Sequence, residues 1–402
     1  MGIDRTVRYL YGLPDDEDGS KNSSKPLTGT SRTKPKQPMA LNTMCTTSPL
    51  VSVVVASYNR LDSLLWLLND LREQKPIDGA FEVVVVDDGS SQAVAPEVNS
   101  RTFSFDVRVL TQANRGPAVA RDVGIGEARG EWIVIVDDDM VLPETFLSAH
   151  MAAHTGADKN PPADVVLGHI RGPADATGLA LFERFHQFSL DRFVAAHQNG
   201  SLSLDGGRLC TGNVSFRKAD YLAVGGFDLA LGRLEDRELG IRFESANYSL
   251  VFSVDAWNEH RSDHEDVLTW RRRSRQYGQL DTVISAKYGA NPAVSPWAFL
   301  PQIPVATRPV AVLAATIPLL GRAAAGWAYW MATVLDRRGR ETVALQGVAV
   351  TYALDYFAGV GSTLNGFVNV QRSLRRWNAL RMNSTDAASL RGRGRRRDRG
   401  QG

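Results

Sequence analysis

Four short runs between Leu50 and Asp139 restrict the fold more than any other feature: VSVVVAS (51–57), EVVVVD (82–87), VRVLT (107–111) and WIVIVD (132–137). Runs this rich in β-branched residues do not alternate between an apolar and a polar face. They suit strands covered on both sides, as in a parallel sheet sandwiched by helices. The intervening spacing predicts helices over 62–74 and 117–129, the second opened by Pro117, whose fixed φ and missing N–H suit a first helical turn. The expected architecture is therefore α/β and Rossmann-like, a mostly parallel sheet flanked by helices.

Composition divides the rest. Residues 14–48 are rich in Ser, Thr, Lys, Pro and Gly without apolar periodicity, so 1–48 reads as a flexible leader to an α/β domain over 49–265. After Pro143 the alternation loosens into a strand-like 164–170, a helix-like 178–195, a Gly turn at 205–207 and a helix beginning near Glu235. A mainly helical region follows over 266–382, then an Arg/Gly-rich disordered tail over 383–402. The apolar stretch 308–338 is interrupted by Pro318, Gly321 and Arg322, and the next one by Asp355. Two or more helices that pack together or lie in a membrane interface are expected there rather than a span.

With 46 basic and 44 acidic residues in 402, the net charge of +2 argues against a dedicated nucleic-acid binder, and the Arg tail reads first as a solvated end. Two cysteines, Cys45 and Cys210, make no disulfide framework and fit a reducing compartment. The first twenty residues lack a basic region followed by an apolar run, so no secretory signal is expected. The expected location is cytoplasmic, with peripheral contact at the cytoplasmic face of a membrane.

Four motifs carry chemistry, each with a plainer explanation. ASYNR (56–60) follows a strand directly, where ligands bind in open α/β sheets, though its polar residues would equally cap the next helix. Asp87 and Asp88 end a second strand before a Gly turn, in which they are also ordinary turn residues. Asp137, Asp138 and Asp139 end a third. Extended-chain alternation puts Asp137 and Asp139 on one side, a pair suited to a hard divalent cation, and turns Asp138 away. An EF-hand is excluded by Val141 and Leu142. Glu235 and Asp236 open a helix whose dipole favours anions, and His260 and His264 lie downstream as candidate metal ligands. The glycines of GIGEARG (124–130) precede a strand instead of following one, which excludes a dinucleotide loop.

Taken in order, VSVVVASYNR, VVVVDDGS, NRGPAVARDVGIGEARGEWIVIVDDDMVLP, CTGNVSFRKADYLAVGGFD and LEDRELGIR resemble the sequence blocks of family 2 glycosyltransferases of the GT-A fold, over about Leu50 to His264. The resemblance implies a nucleotide-sugar donor, a UDP-sugar first, bound by Ala56, Ser57, Tyr58, Arg60, Asp87, Asp88, Asn114, Arg121, Asp137 and Asp138. It implies Mn²⁺ or Mg²⁺ on Asp137 and Asp139, with His260 completing the shell. Asp236, with Glu235 beside it, matches the general base, and the reaction inverts the anomeric centre. The acceptor is expected to be a glycan, a lipid-linked molecule or a small molecule, and no specific nucleic acid is expected. A catalytically silent nucleotide-sugar or glycan-binding module is the alternative.

Overall fold

The computed structural model describes residues 49–397 apart from 158–160, 174–177, 203, 262–265 and 290, so the expected leader and His264 lie outside the described residues. The four β-branched runs form β1 (Val51–Ser57), β2 (Phe81–Asp87), β3 (Asp106–Thr111) and β4 (Trp132–Val136), with helices α1 (Leu61–Arg72), α2 (Val94–Asn99) and α3 (Pro117–Glu127) between them. All four strands are parallel, in the order β3-β2-β1-β4. From Val51 to Val55 and from Val83 to Val86 the valines are fully buried, as strands covered by helices on both faces must be. The glycines of GIGEARG serve this packing: a Cβ on Gly124 would stand 2.6 Å from Val54 Cγ1, and one on Gly130 would stand 2.6 Å from the Ser52 nitrogen.

The second half of the sheet is mixed. It comprises β5 (Met140–Val141), β6 (Val165–Arg171), β7 (Asn213–Arg217) and β8 (Leu250–His260), with α4 (Phe146–Thr155), α5 (Leu181–Gln198), α6 (Lys218–Ala223) and α7 (Glu235–Ser245) around it. β7 runs antiparallel to β4 and β6, and β5 antiparallel to β8, while β6 is parallel to β8, so the sheet is wholly parallel through its first four strands and mixed beyond them. β8 is a finding: a bulge between Gly168 and His169 shifts its register and breaks the alternation by which a strand is read.

The helical region comprises α8 (Val267–Lys287), α9 (Arg308–Thr316), α10 (Pro318–Arg337), α11 (Glu341–Leu364) and α12 (Phe367–Arg397). Pro318 opens α10 after a break at Ile317, whereas Gly321 interrupts nothing: its missing Cβ admits Ala314, which would lie 2.6 Å away. The backbone of 383–397, expected as disordered tail, continues α12, in keeping with its Ala, Leu and Arg content. Among the described residues α11 is the one helix long and apolar enough to cross a membrane, yet 72% of its apolar window is buried in protein. At its middle the fully buried Asp355 accepts from Arg271 Nε at 2.6 Å and Arg275 Nη1 at 2.8 Å. A Cβ on Gly359 or Gly361 would strike the carbonyls of Arg275 or Ala315, so α11 is the packed centre of this layer.

Candidate active site

β1 lies between β2 and β4, so the chain reverses its direction of travel across the sheet there. The crevice between the carboxyl ends of β1 and β4 is where open α/β sheets bind ligands. Both rims carry predicted residues. A cavity of about 800 Å³ opens there, lined on its sheet side by Ala56, Ser57, Tyr58, Arg60, Asp88 and Asn114, and by Arg121, all three aspartates and His260.

The aspartates do not alternate. β4 ends at Val136 and 137–139 turn, so Asp138 faces the cavity with its neighbours and the expectation that it points away is corrected. Arg60 Nη1 donates to Asp139 Oδ2 at 2.5 Å and reaches Asp138 Oδ1 at 3.4 Å. His260 Nε2 lies 3.3 Å from the same Asp139 oxygen. Asp138 Oδ2 and Asp139 Oδ1 are buried and have no hydrogen-bond partner. Burial would raise both carboxyls. At Asp138 it wins over Ser57 and Arg60 and pushes the pKa to about 6, whereas at Asp139 the His260 and Arg60 contacts prevail and the shift is downward. His260 is raised in turn, its Asp139 contact outweighing burial. The two unpartnered carboxylate oxygens are hard donors of the kind Mg²⁺ and Mn²⁺ take, and an imidazole lies beside them, although among the described residues no three acidic, histidine or cysteine side chains converge as a metal-binding group.

Arg121 lines the cavity and also braces it. Its buried guanidinium donates to Asp137 Oδ1 at 2.6 Å and Glu235 Oε1 at 2.9 Å, tying α3, the end of β4 and the start of α7 together. Leu234, immediately before Glu235, adopts φ 59° and ψ 18°, a left-handed conformation costly for such a side chain and characteristic of sites held under strain. Asp236 Oδ1 accepts from the Arg237 amide at 2.7 Å and Oδ2 from the Thr211 amide at 3.3 Å. Burial raises the pKa of both acids, Glu235 to about 7. Neither Glu235 nor Asp236 belongs to the cavity lining; both stand behind Arg121.

Asp87 also lies outside the lining, with Oδ1 accepting from the Ser90 amide in its own turn. Asp88 reaches the cavity, but its carboxylate holds the 112–116 loop through the Arg115 and Gly116 amides at 2.9 and 2.8 Å and Gln112 Nε2 at 2.7 Å. Turn chemistry thus accounts for Asp87, whereas Asp88 braces a neighbouring loop at the edge of the cavity.

The far side of the cavity was not foreseen. It is built by Phe182, Phe185 and His186 of α5, Arg233, and residues of α8 and α11. Trp270, Arg273, Ser274 and Tyr277 recur at one-face spacing along α8, with Tyr352 opposite them. That spacing was present in the sequence but marks any amphipathic helix.

Residues 52–217 match the model of glycosyl transferase family 2. An uncharacterized glycosyltransferase of Haemophilus influenzae is 27% identical over 46% of this chain and 59% of its own length. The validoxylamine A glucosyltransferase of Streptomyces hygroscopicus subsp. jinggangensis is 30% identical over 54% of this chain and 57% of its own. The chain thus spans under two thirds of these curated relatives. A mannosyltransferase from Pyrobaculum calidifontis, solved with GDP-Man and Mn²⁺, superposes with a TM-score of 0.50 over 77% of this chain and 86% of that one, at 18% identity, a likeness of fold.

Proposed function

This chain belongs to glycosyl transferase family 2 through residues 52–217, within a GT-A-like domain, and from that premise we propose that it transfers a sugar from a nucleoside diphosphate donor to an acceptor hydroxyl with inversion. The observation that carries the reading is the meeting of Ser57–Arg60 with Asp137–Asp139 at the β1/β4 crevice, in a cavity large enough for a nucleotide sugar. Tyr58, 48% exposed on the cavity wall, offers a ring face to the base, and Asn114 an amide to its edge. Uridine as the nucleoside rests on the family resemblance.

Asp138 and Asp139, whose free oxygens are turned from their protein partners, would hold a divalent cation beside His260, with Asp137 next to them on Arg121; when bound, the cation offsets the charge that develops on the departing diphosphate. Arg60 holds Asp139 and Asp138 in place, and its guanidinium is close enough to take up diphosphate charge as the donor enters. Arg121 fixes Asp137 and immobilises Glu235; Asp236, which stands behind Arg121 and outside the cavity lining, is assigned the acceptor proton on the family resemblance alone. Its upward shift improves it for that role. The aromatic far wall at Phe182, Trp270 and Tyr277 receives the acceptor.

A panel of nucleoside diphosphate sugars assayed for hydrolysis and transfer tests the reading. At least one donor should turn over, and Asp236→Asn should lower transfer by roughly 10²- to 10⁴-fold while leaving donor binding unchanged. Donor binding without any turnover would instead identify a silent binding module.

A further inference from the structure

Two helices of the helical region, α9 and α10, expose several of their large apolar side chains. On α9 Val310 and Leu313 are exposed, as is Ile317 at the break that follows, and on α10 so are Leu320, Trp327 and Trp330, the two tryptophans at 65% and 59%. The residues that α9 and α10 bury fully are small, among them Ala311, Ala314, Gly321, Ala325 and Ala332, while Val312, Tyr329 and Leu335 pack part-buried beside them. A helix facing water has the reverse arrangement. Exposed large apolar side chains are thus concentrated on two consecutive helices, beyond the scatter of single exposed hydrophobics that any protein carries.

Charge of one sign lies alongside. Arg271, Arg272 and Arg275 of α8 and Arg322 of α10 surround a surface pocket of about 500 Å³ together with Leu268 and Leu319. The Arg271 guanidinium donates to the Arg322 carbonyl at 2.7 Å, which fixes the two helices in register. Among the described residues, the ion pairs of these four arginines run to one carboxylate, Asp355, so the cluster keeps an excess of positive charge.

We propose that this face docks on a lipid bilayer bearing anionic headgroups, Trp327, Trp330 and Leu320 entering the boundary between headgroups and acyl chains while Arg272 and Arg322 hold lipid phosphate. A second copy of the chain would bring arginines against arginines, and a free anion would have no use for the tryptophans. Docking would also set the cavity near the bilayer, because α8 carries Trp270 and Tyr277 on the cavity while Arg272 and Arg275 line the arginine pocket.

The full chain should co-sediment with phosphatidylcholine vesicles that contain phosphatidylglycerol far better than with phosphatidylcholine alone. Arg272→Gln with Arg322→Gln should weaken that binding on the order of tenfold and remove the preference for anionic lipid. Trp327→Ser with Trp330→Ser should leave only binding that salt washes away, and thermal unfolding of both variants, whose changes are at exposed positions, should match wild type. Three results would overturn the proposal: equal binding to both vesicle types, indifference to either pair of substitutions, or complete displacement by millimolar inorganic phosphate. Self-association that the serine pair abolishes, without vesicle binding, would overturn it as well. Since the readout is sedimentation, it stands or falls separately from sugar transfer.

Discussion

Glu82 and Asp138 are both carboxylates buried in the same sheet, at opposite ends of it, and their surroundings treat them oppositely. Burial alone would raise Glu82. Ser52 Oγ at 2.6 Å, the Arg129 amide at 2.7 Å and the Arg108 and Arg129 side chains bring it down to about 2 instead. Asp138 has the Ser57 hydroxyl, a distant share of Arg60 and an oxygen with no partner, and burial outweighs them and pushes it up to about 6. A saturated acid holds the fold; an unsaturated one at a cavity wall is waiting for a ligand. The contrast separates structural from functional acids where composition cannot.

The largest expected effect lies at Asp355, which is saturated like Glu82 but has two arginines depending on it. Asp355→Ala should cost about 3 kcal/mol in denaturant unfolding, because two partly buried guanidinium groups lose the fully buried carboxylate they share. Next comes Glu82→Gln, at about 2–3 kcal/mol near neutral pH. Glu82 has its folded pKa below its unfolded 4.5, so its contribution is complete above that value and disappears as pH falls toward about 2. Unfolding curves of wild type and Glu82→Gln should therefore converge across that window. A gap that persists at pH 2 would mean packing, not charge, is lost.

Asp138→Asn should act in the opposite direction and more weakly. With its folded pKa raised from 3.8 to about 6, ionised Asp138 costs stability above that range and nothing below 3.8. The amide should thus stabilise the protein by on the order of 1–2 kcal/mol at pH 7, an advantage that fades as pH drops through the window, while transfer falls roughly tenfold. Destabilisation at pH 7 would place Asp138 with Glu82 and remove the contrast.

Much of the sheet was legible because its strands are buried on both faces and announce it as unbroken valine. The aspartate cluster was legible in place but not in direction: alternation is a property of strands, and the chain leaves β4 at Val136, before the first aspartate. Arg60, 79 residues from Asp139, could be read as a loop residue but not as that acid's partner. The cavity's far wall was beyond reach for a related reason. The periodicity of Trp270 and Tyr277 says that a face of α8 is covered and does not say by what. β8 escaped because its bulge interrupts the pattern that defines a strand.

Titration calorimetry of a nucleoside diphosphate, UDP first, with and without Mn²⁺, tests the central claim most directly when wild type is compared with Asp139→Asn. Wild type should bind on the order of 10²-fold more tightly with Mn²⁺ than without it, and Asp139→Asn, folded as judged by its unfolding midpoint, should lose that enhancement. Equal enhancement in both proteins would contradict the account, because the cation would then sit somewhere other than on the unsatisfied aspartates.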